Sequence, residues 1–457
     1  MRLSPADTAV VLGCGKSGLS VIRFLRKYGV RVFVSETREE ADLPQDVLSL
    51  LHDHVEEYEC GGHRSDFVCR ADFVVPSPGI PLDSKIIEQA KASGLQIVGE
   101  LGLAAGRFHV PVIGVTGSNG KTTVTSLIGH LLEQGGKRVF VGGNIGTPLL
   151  DFFAEPSAYD GVVLELSSFQ LELVGSFRPD IAVVLNISPD HLDRHHSMAA
   201  YALAKKNLLS HQIAGDIAVL GGDDPVLSSW SVNPDVKKIF FGQTEGAEAQ
   251  VRGDEVLLSV DTGGGMESYP LAQGALSSLV NRLNAAAAIL VASCSGLENK
   301  LICQGLEGFN TPPHRMSEVA VIDGVQYIND SKATNIGAME AALKSCLQPV
   351  VLIAGGRDKQ SDFTLLASLI QQKVKHLFLI GEAAPVMQQA FSSVVSISMV
   401  SSLCDAVKGA KELAVAGDVV LLAPGCASFD MFSGYAERGK VFSDCVMQLN
   451  KLCQEKQ

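Results

Sequence analysis

The chain has 457 residues, 46% hydrophobic and 19% charged, which supplies apolar material for buried cores and excludes an intrinsically disordered protein. Its formal net charge of −13 excludes a broad basic face for nucleic acid, so anionic ligands would have to meet a few focused cations. Ten cysteines without a Cys-x-x-Cys pair, no apolar run of 18 residues and no signal-peptide core predict a cytoplasmic protein with reduced, packed cysteines and no membrane insertion.

Short apolar runs alternate with amphipathic helical stretches almost throughout, the pattern of α/β domains built on parallel sheets. The length predicts about three domains of ~150 residues, which we place at residues 1–100, 101–311 and 312–457.

The first run leads into Gly13-Cys-Gly-Lys-Ser-Gly18, a G-x-G-x-x-G turn between a strand and a helix, with Glu36 at the end of the next strand. That geometry serves any nucleotide diphosphate, so both a nicotinamide dinucleotide and a nucleotide sugar fit it. Ser77-Pro78-Gly79 follows the strand Phe73-Val74-Val75, where strand ends line a ligand crevice; it also reads as a plain turn. A strand-like Gln96-Ile97-Val98 then gives way to an expected linker, Leu101 to Pro111.

Val112 to Val124 carries the strongest signal. An apolar strand meets Gly117-Ser118-Asn119-Gly120-Lys121-Thr122-Thr123, whose glycines let successive N–H groups face phosphate oxygens at a helix N-terminus. Lys121 is placed to reach the β and γ phosphates and Thr122 to hold Mg²⁺, which predicts ATP chemistry. Val115 stands where the strict phosphate-loop pattern has glycine, so the loop is a compact variant.

Glu165 tips the apolar run Val162-Val163-Leu164, where phosphate-loop enzymes place a metal-binding acid; a solvated strand end is the alternative. Asn186-Ile-Ser-Pro-Asp-His-Leu-Asp-Arg-His195 follows another strand and brings His191 toward a second metal, whose oxygen-rich surroundings suit Mg²⁺ better than zinc. His195 and His196 read as packing or surface residues. Next comes Tyr201-Ala-Leu-Ala-Lys205-Lys206. A lysine near metals is repelled unless its neutral amine adds CO₂ and becomes an anionic carbamate; otherwise Lys205 is a solvated helix residue.

Pro312-Pro313 breaks regular structure, and a hairpin is expected at Asp323-Gly324. Asn329-Asp-Ser-Lys-Ala-Thr-Asn335 and Gly355-Gly-Arg-Asp-Lys359 each follow a strand and are dense in donors for an anionic co-substrate.

These segments, with Gly142-Gly-Asn-Ile-Gly146, Leu164-Glu-Leu-Ser-Ser-Phe-Gln-Leu-Glu172 and Ala423-Pro-Gly-Cys-Ala-Ser-Phe-Asp430, resemble the Mur ligases over essentially the whole chain. Those are ATP-dependent amide-forming enzymes of peptidoglycan precursor synthesis. Leu164 to Glu172 resembles the member that adds D-glutamate more than its sisters. The resemblance implies an α/β fold of three domains: a Rossmann-like N-terminal domain, a central P-loop mononucleotide-binding parallel-sheet domain and a C-terminal Rossmann-like domain. It implies small-molecule substrates, UDP-N-acetylmuramoyl-L-alanine and D-glutamate, with ATP, two Mg²⁺ ions, a carbamylated lysine and a monomeric state.

By the same resemblance, Ser17, Glu36, Thr37, Arg38 and Gly79 would hold the UMP moiety, and Asn144 and His191 the muramoyl diphosphate. Thr122 and Glu165 would take one Mg²⁺, and His191 with carbamylated Lys205 the other. Lys121 would hold the transferred phosphoryl group in the Gly117 to Thr123 loop. Asn284, Arg315 and Asp330 resemble adenosine-phosphate contacts; Lys332, Thr334, Lys359, Ser428 and Phe429 resemble the D-glutamate pocket. Val280 and Gly221-Gly222-Asp223-Asp224 depart from the family pattern near the adenine contacts. A sister or folate-type ligase and, on Gly13 to Gly18 alone, an NAD-dependent oxidoreductase remain the alternatives.

Overall fold

The apolar runs become central strands of three sheets in the computed structural model, which describes residues 1–259, 265–359 and 361–454. Every residue of Thr8–Leu12, Val112–Thr116 and Val350–Gly355 is buried. Continuous Val/Ile/Leu runs of this kind suit parallel strands covered on both faces.

The first sheet orders Glu57–Glu59, Arg31–Ser35, Thr8–Leu12, Phe73–Pro76 and Gln96–Ile97, all parallel. In the second, Val112–Thr116 lies between Gly161–Glu165 and Ile181–Val184, so the phosphate loop and Glu165 emerge side by side at one sheet end. The third sets Val419–Leu422 between Val325–Asn329 and Val350–Gly355. The three-domain α/β architecture read from the sequence is the one the chain adopts. The hairpin at Asp323-Gly324 is present, with φ of 50° and 77° at the two turn residues, as a type I′ turn requires.

Three features differ from the sequence expectations. The central sheet continues into antiparallel Ala249–Arg252, Glu255–Ser259 and Met266–Pro270, strands too short and half-polar to stand out from the α/β rhythm. The expected linker begins as a buried helix, Glu100–Ala104. Leu101, Leu103 and Ala104 enter one apolar cluster with Val11 of the first sheet and Phe152 and Phe153 of the central region, so the first two units share a core. The cysteines are not all reduced: Cys404 and Cys445 form a disulfide between the packed helices Leu403–Leu413 and Tyr435–Gln454. Their separation of 41 residues carries no pairing signal in the sequence. Among the described residues no helix is long and apolar enough to cross a membrane.

Candidate active site

The phosphate loop is built by two glycines in backbone conformations L side chains rarely adopt. Gly117 has φ 150°, and Gly120, which caps the helix Lys121–Gln134, has φ 85°. A side chain at Gly120 would also strike Asn284 Oδ1, 2.4 Å from the Cβ position. Ser118 and Asn119 anchor the loop. Ser118 Oγ accepts from Ser188 N at 2.9 Å and hydrogen-bonds with Tyr201 Oη; Asn119 N donates to Asn186 Oδ1 at 2.8 Å. Thr123 is buried beneath the loop.

The loop opens into a cavity of about 330 Å³ between the second and third sheets' loops. Lys121, Thr122, Asn144, Glu165, His191, Lys205, Asn284, Arg315, Asp330, Lys332 and Thr334 all line it. Residues separated by more than 200 positions in the sequence thus meet in one space.

Glu165 is 2% exposed, and its two oxygens are both used: Oε2 accepts from Thr122 Oγ1 at 2.6 Å, and Oε1 from Asn144 Nδ2 at 2.8 Å. This rules out the solvated strand end. Lys121 Nζ folds back to donate to the carbonyls of Gly117 and Ser118, both at 2.8 Å. Burial pushes its pKa below the usual lysine range.

Lys205 is 1% exposed and donates to Gly117 O at 2.8 Å, so the solvated-helix reading fails. Burial, reinforced by the charge of Lys121, drives its pKa well below the usual value and favours the neutral amine. Lys206 instead lies over the ring of Trp230, at 5.7 Å. Lys205 is therefore the lysine that faces the cavity.

His191 occupies a left-handed conformation, φ 53°, at the start of the short helix Leu192–His195. Burial lowers its pKa to about 4, leaving a neutral imidazole at physiological pH. Its neighbour Asp190 is 9% exposed and ties the central region to the C-terminal one. It accepts from Lys359 Nζ at 2.9 Å and from Asn335 Nδ2 at 3.0 Å. Against the burial that would raise it, the Lys359 charge holds the Asp190 pKa down.

On the opposite wall, burial lifts Asp330 to about 6 and lowers Arg315 and, to about 8, Lys332. Lys332 Nζ sits 3.7 Å from the centroid of the Tyr435 ring, a cation–π contact. His195 and His196 have the packing and surface roles expected of them: the first pairs with Ser168 and Glu172, the second with Asp83 at the surface.

Other expected site residues lie outside the cavity lining. Ser428 is buried and Phe429 is 66% exposed. Glu36, Thr37, Arg38 and Gly79 lie just beyond strands of the first sheet, and Ser17 lies in the first turn of the helix Lys16–Lys27 that follows Thr8–Leu12. Glu36 Oε2 accepts from Cys14 N at 2.7 Å and pairs with Arg38. Although desolvation acts to raise it, bonds from Arg38 and Cys14 bring its pKa down to about 2. Gly79 O accepts from Arg194 Nη1 at 3.4 Å, which joins the first sheet's loops to the central region.

Asp190 and Tyr435 were not among the expected site residues. Asp190 stood in the quoted run beside His191, but its role depends on a lysine 169 residues away. Tyr435 carried no motif.

Comparison with known proteins decides the family. The Mur ligase MurD-like N-terminal domain matches residues 7–99, the Mur ligase middle domain 115–292, and the Mur ligase glutamate ligase domain 314–426. The chain belongs to the Mur ligase family. Its relatives include proteins named UDP-N-acetylmuramoylalanine–D-glutamate ligase. That of Desulfotalea psychrophila is 43% identical over 97% of this chain and 96% of its own. That of Syntrophotalea carbinolica is 39% identical over 96% and 97%. Solved structures share the fold at lower identity. The MurF ligase of Thermotoga maritima in complex with ADP has a TM-score of 0.63 at 18% identity, covering 100% of this chain and 98% of that one. A pseudomurein peptide ligase type C from Methanothermus fervidus has 0.62 at 19%, covering 97% and 100%.

Proposed function

We propose that this Mur ligase joins D-glutamate to UDP-N-acetylmuramoyl-L-alanine in the cytoplasm, cleaving ATP to ADP and phosphate. The observation that carries the chemistry is the convergence of Lys121, Thr122, Glu165, His191 and Lys205 in one cavity. The choice of substrates rests on relatives of that name aligned over nearly the whole chain.

A carboxylate is a poor electrophile, so amide formation needs a better leaving group than hydroxide. The L-alanyl carboxylate attacks the γ-phosphate in line, giving an acyl phosphate and ADP. The unprotonated amine of D-glutamate then attacks the acyl carbon, and phosphate leaves. Lys121 moves from the loop carbonyls to the transferred phosphoryl group and offsets charge as two anions approach.

The donor set fits Mg²⁺. Thr122 Oγ1 and Glu165 Oε2 already converge, and a cation that keeps waters and phosphate oxygens needs few protein ligands. Bound there, Mg²⁺ would neutralise charge on the phosphates. His191 presents a neutral nitrogen for a second ion. Lys205 fits only as a carbamate: its neutral amine adds CO₂, a N–C bond forms, one proton leaves and an anionic oxygen donor results.

We carry the remaining roles over from the resemblance to the Mur ligases. Asn284, Arg315 and Asp330, which line the cavity together with Ser118 to Thr123, would contact the adenosine phosphates. Lys332, Thr334, Lys359, Ser428 and Phe429 form the D-glutamate side. Ser17, Glu36, Thr37, Arg38 and Gly79 hold the UMP moiety, with Asn144 and His191 toward the muramoyl end. Labelling the L-alanyl carboxylate with ¹⁸O tests the mechanism. One labelled oxygen in the released phosphate is expected, and unlabelled phosphate would exclude the acyl phosphate.

A further inference from the structure

Arg438, on the helix Tyr435–Gln454, is among the largest side chains in the chain with almost no exposure, at 1%. Among the described residues no carboxylate hydrogen-bonds to it. Its donors go to a ring of oxygens instead. Nε donates to Ser331 Oγ at 3.1 Å, and Nη2 to Ser331 O at 2.9 Å and Cys426 O at 3.1 Å. Nη1 donates to Ala427 O at 3.3 Å and Gly355 O at 3.5 Å.

These acceptors belong to three different loops. Ser331 follows the strand Val325–Asn329, Gly355 ends Val350–Gly355, and Cys426 and Ala427 follow Val419–Leu422. The three strands are neighbours in one parallel arrangement, so their carboxyl ends open on the same side, where ligands of such sheets bind. A planar guanidinium with five donors can bridge three loops at once, which a lysine ammonium cannot. The helix is also joined to the first loop by Ser331 Oγ, which donates to Tyr435 O at 2.8 Å. Gly356 leaves room for this contact: a Cβ there would lie 3.0 Å from Arg438 Nη1.

We infer that Arg438 is a positioning residue for the amino-acid substrate, its guanidinium setting the mutual spacing of the three loops that carry Lys332, Lys359 and Ser428. It touches no substrate itself. The inference deepens the ligase reading above and rests on it for the identity of the amino acid. A buried cation bonded to loop carbonyls and the Ser331 hydroxyl, with the Asp430 charge nearby but not hydrogen-bonded to it, is costly as a stability element, because little of its desolvation is offset. Its geometry makes sense as a means of setting the spacing of loops that also meet through the backbone, Gly425 N donating to Ala333 O and Arg357 N to Ala427 O, and through Asp190, which bonds Lys359 and Asn335.

The test combines steady-state kinetics with amide hydrogen exchange on the full-length protein and its Arg438→Lys and Arg438→Ala variants. Arg438→Lys is expected to raise the KM for D-glutamate about tenfold or more while the KM for ATP stays within about twofold. Exchange should rise in peptides covering 330–335, 355–359 and 424–430 and stay unchanged around the phosphate loop. Added guanidinium ion should restore part of the D-glutamate affinity of Arg438→Ala. An unchanged KM for D-glutamate in a folded Arg438→Lys variant, or equal loss for both substrates, would overturn the inference. If the wild-type protein does not use D-glutamate, the ligase reading falls, and the exchange pattern alone then decides whether Arg438 holds the loops.

Discussion

Lys121 and Lys205 donate to a single acceptor: each Nζ lies 2.8 Å from the carbonyl oxygen of Gly117. Two ammonium groups 4 Å apart repel by about 4 kcal/mol at an effective dielectric of 20, so a shared oxygen favours one charge and one neutral amine. Lys205 is the less exposed and the more strongly shifted downward, so its surroundings favour the neutral amine. That state is the nucleophile CO₂ requires. Lys205→Ala is expected to lower kcat about 100-fold or more, with partial recovery on adding a short carboxylic acid. Full activity without rescue, or no ¹³C carbamate signal in wild-type protein supplied with labelled bicarbonate, would contradict this.

Glu165 accepts from both Thr122 and Asn144, so Glu165→Gln preserves its shape while removing its charge. The variant should keep a melting temperature near that of the wild type. A loss of several kcal/mol of metal-assisted stabilisation corresponds to about 10²- to 10³-fold in kcat. The Mg²⁺ concentration for half activity should rise with it, as a magnesium titration would read.

Asp330 has a folded pKa of about 6 against an ordinary 3.8. Between those values the folded chain binds more protons than the unfolded one. Its contribution is therefore complete below pH 3.8 and lost as pH rises through about 6. Asp330→Asn removes that loss, and still offers an oxygen to Met316 N. Urea unfolding should find the variant stabilised by up to about 3 kcal/mol at pH 7.5 and by less at pH 5. ATP turnover should fall in the same variant.

The phosphate loop, Glu165 and the three-sheet plan were legible because each rests on a local rule: a glycine turn, a lysine at fixed offset, an apolar strand ending in an acid. Lys205 was legible as a puzzle, a lysine near expected metals, but its burial depends on the packing of Tyr201 and Gly117 around it. Asp190 with Lys359, Lys332 with Tyr435, and the Cys404–Cys445 bond join residues that no local pattern relates. The buried helix Glu100–Ala104 was read as linker because five residues are too few to show a helical period.

The Asp190–Lys359 ion pair makes a separate prediction. Lys359→Ala leaves a buried carboxylate without its paired cation, held by Asn335 Nδ2 and the His191 backbone N–H, a loss of about 3 kcal/mol. The urea midpoint should fall, and proteolysis near residues 309–316, between the second and third units, should speed up. Unchanged cleavage there would show that the pair does not hold the C-terminal unit in place.

The most direct measurement is phosphate release from Mg-ATP and UDP-N-acetylmuramoyl-L-alanine in the presence of D-glutamate, L-glutamate, L-lysine, meso-diaminopimelate or glycine. Release with D-glutamate alone, together with the amide product, is the predicted result. Release with a different amino acid, or none with D-glutamate, would contradict the assignment.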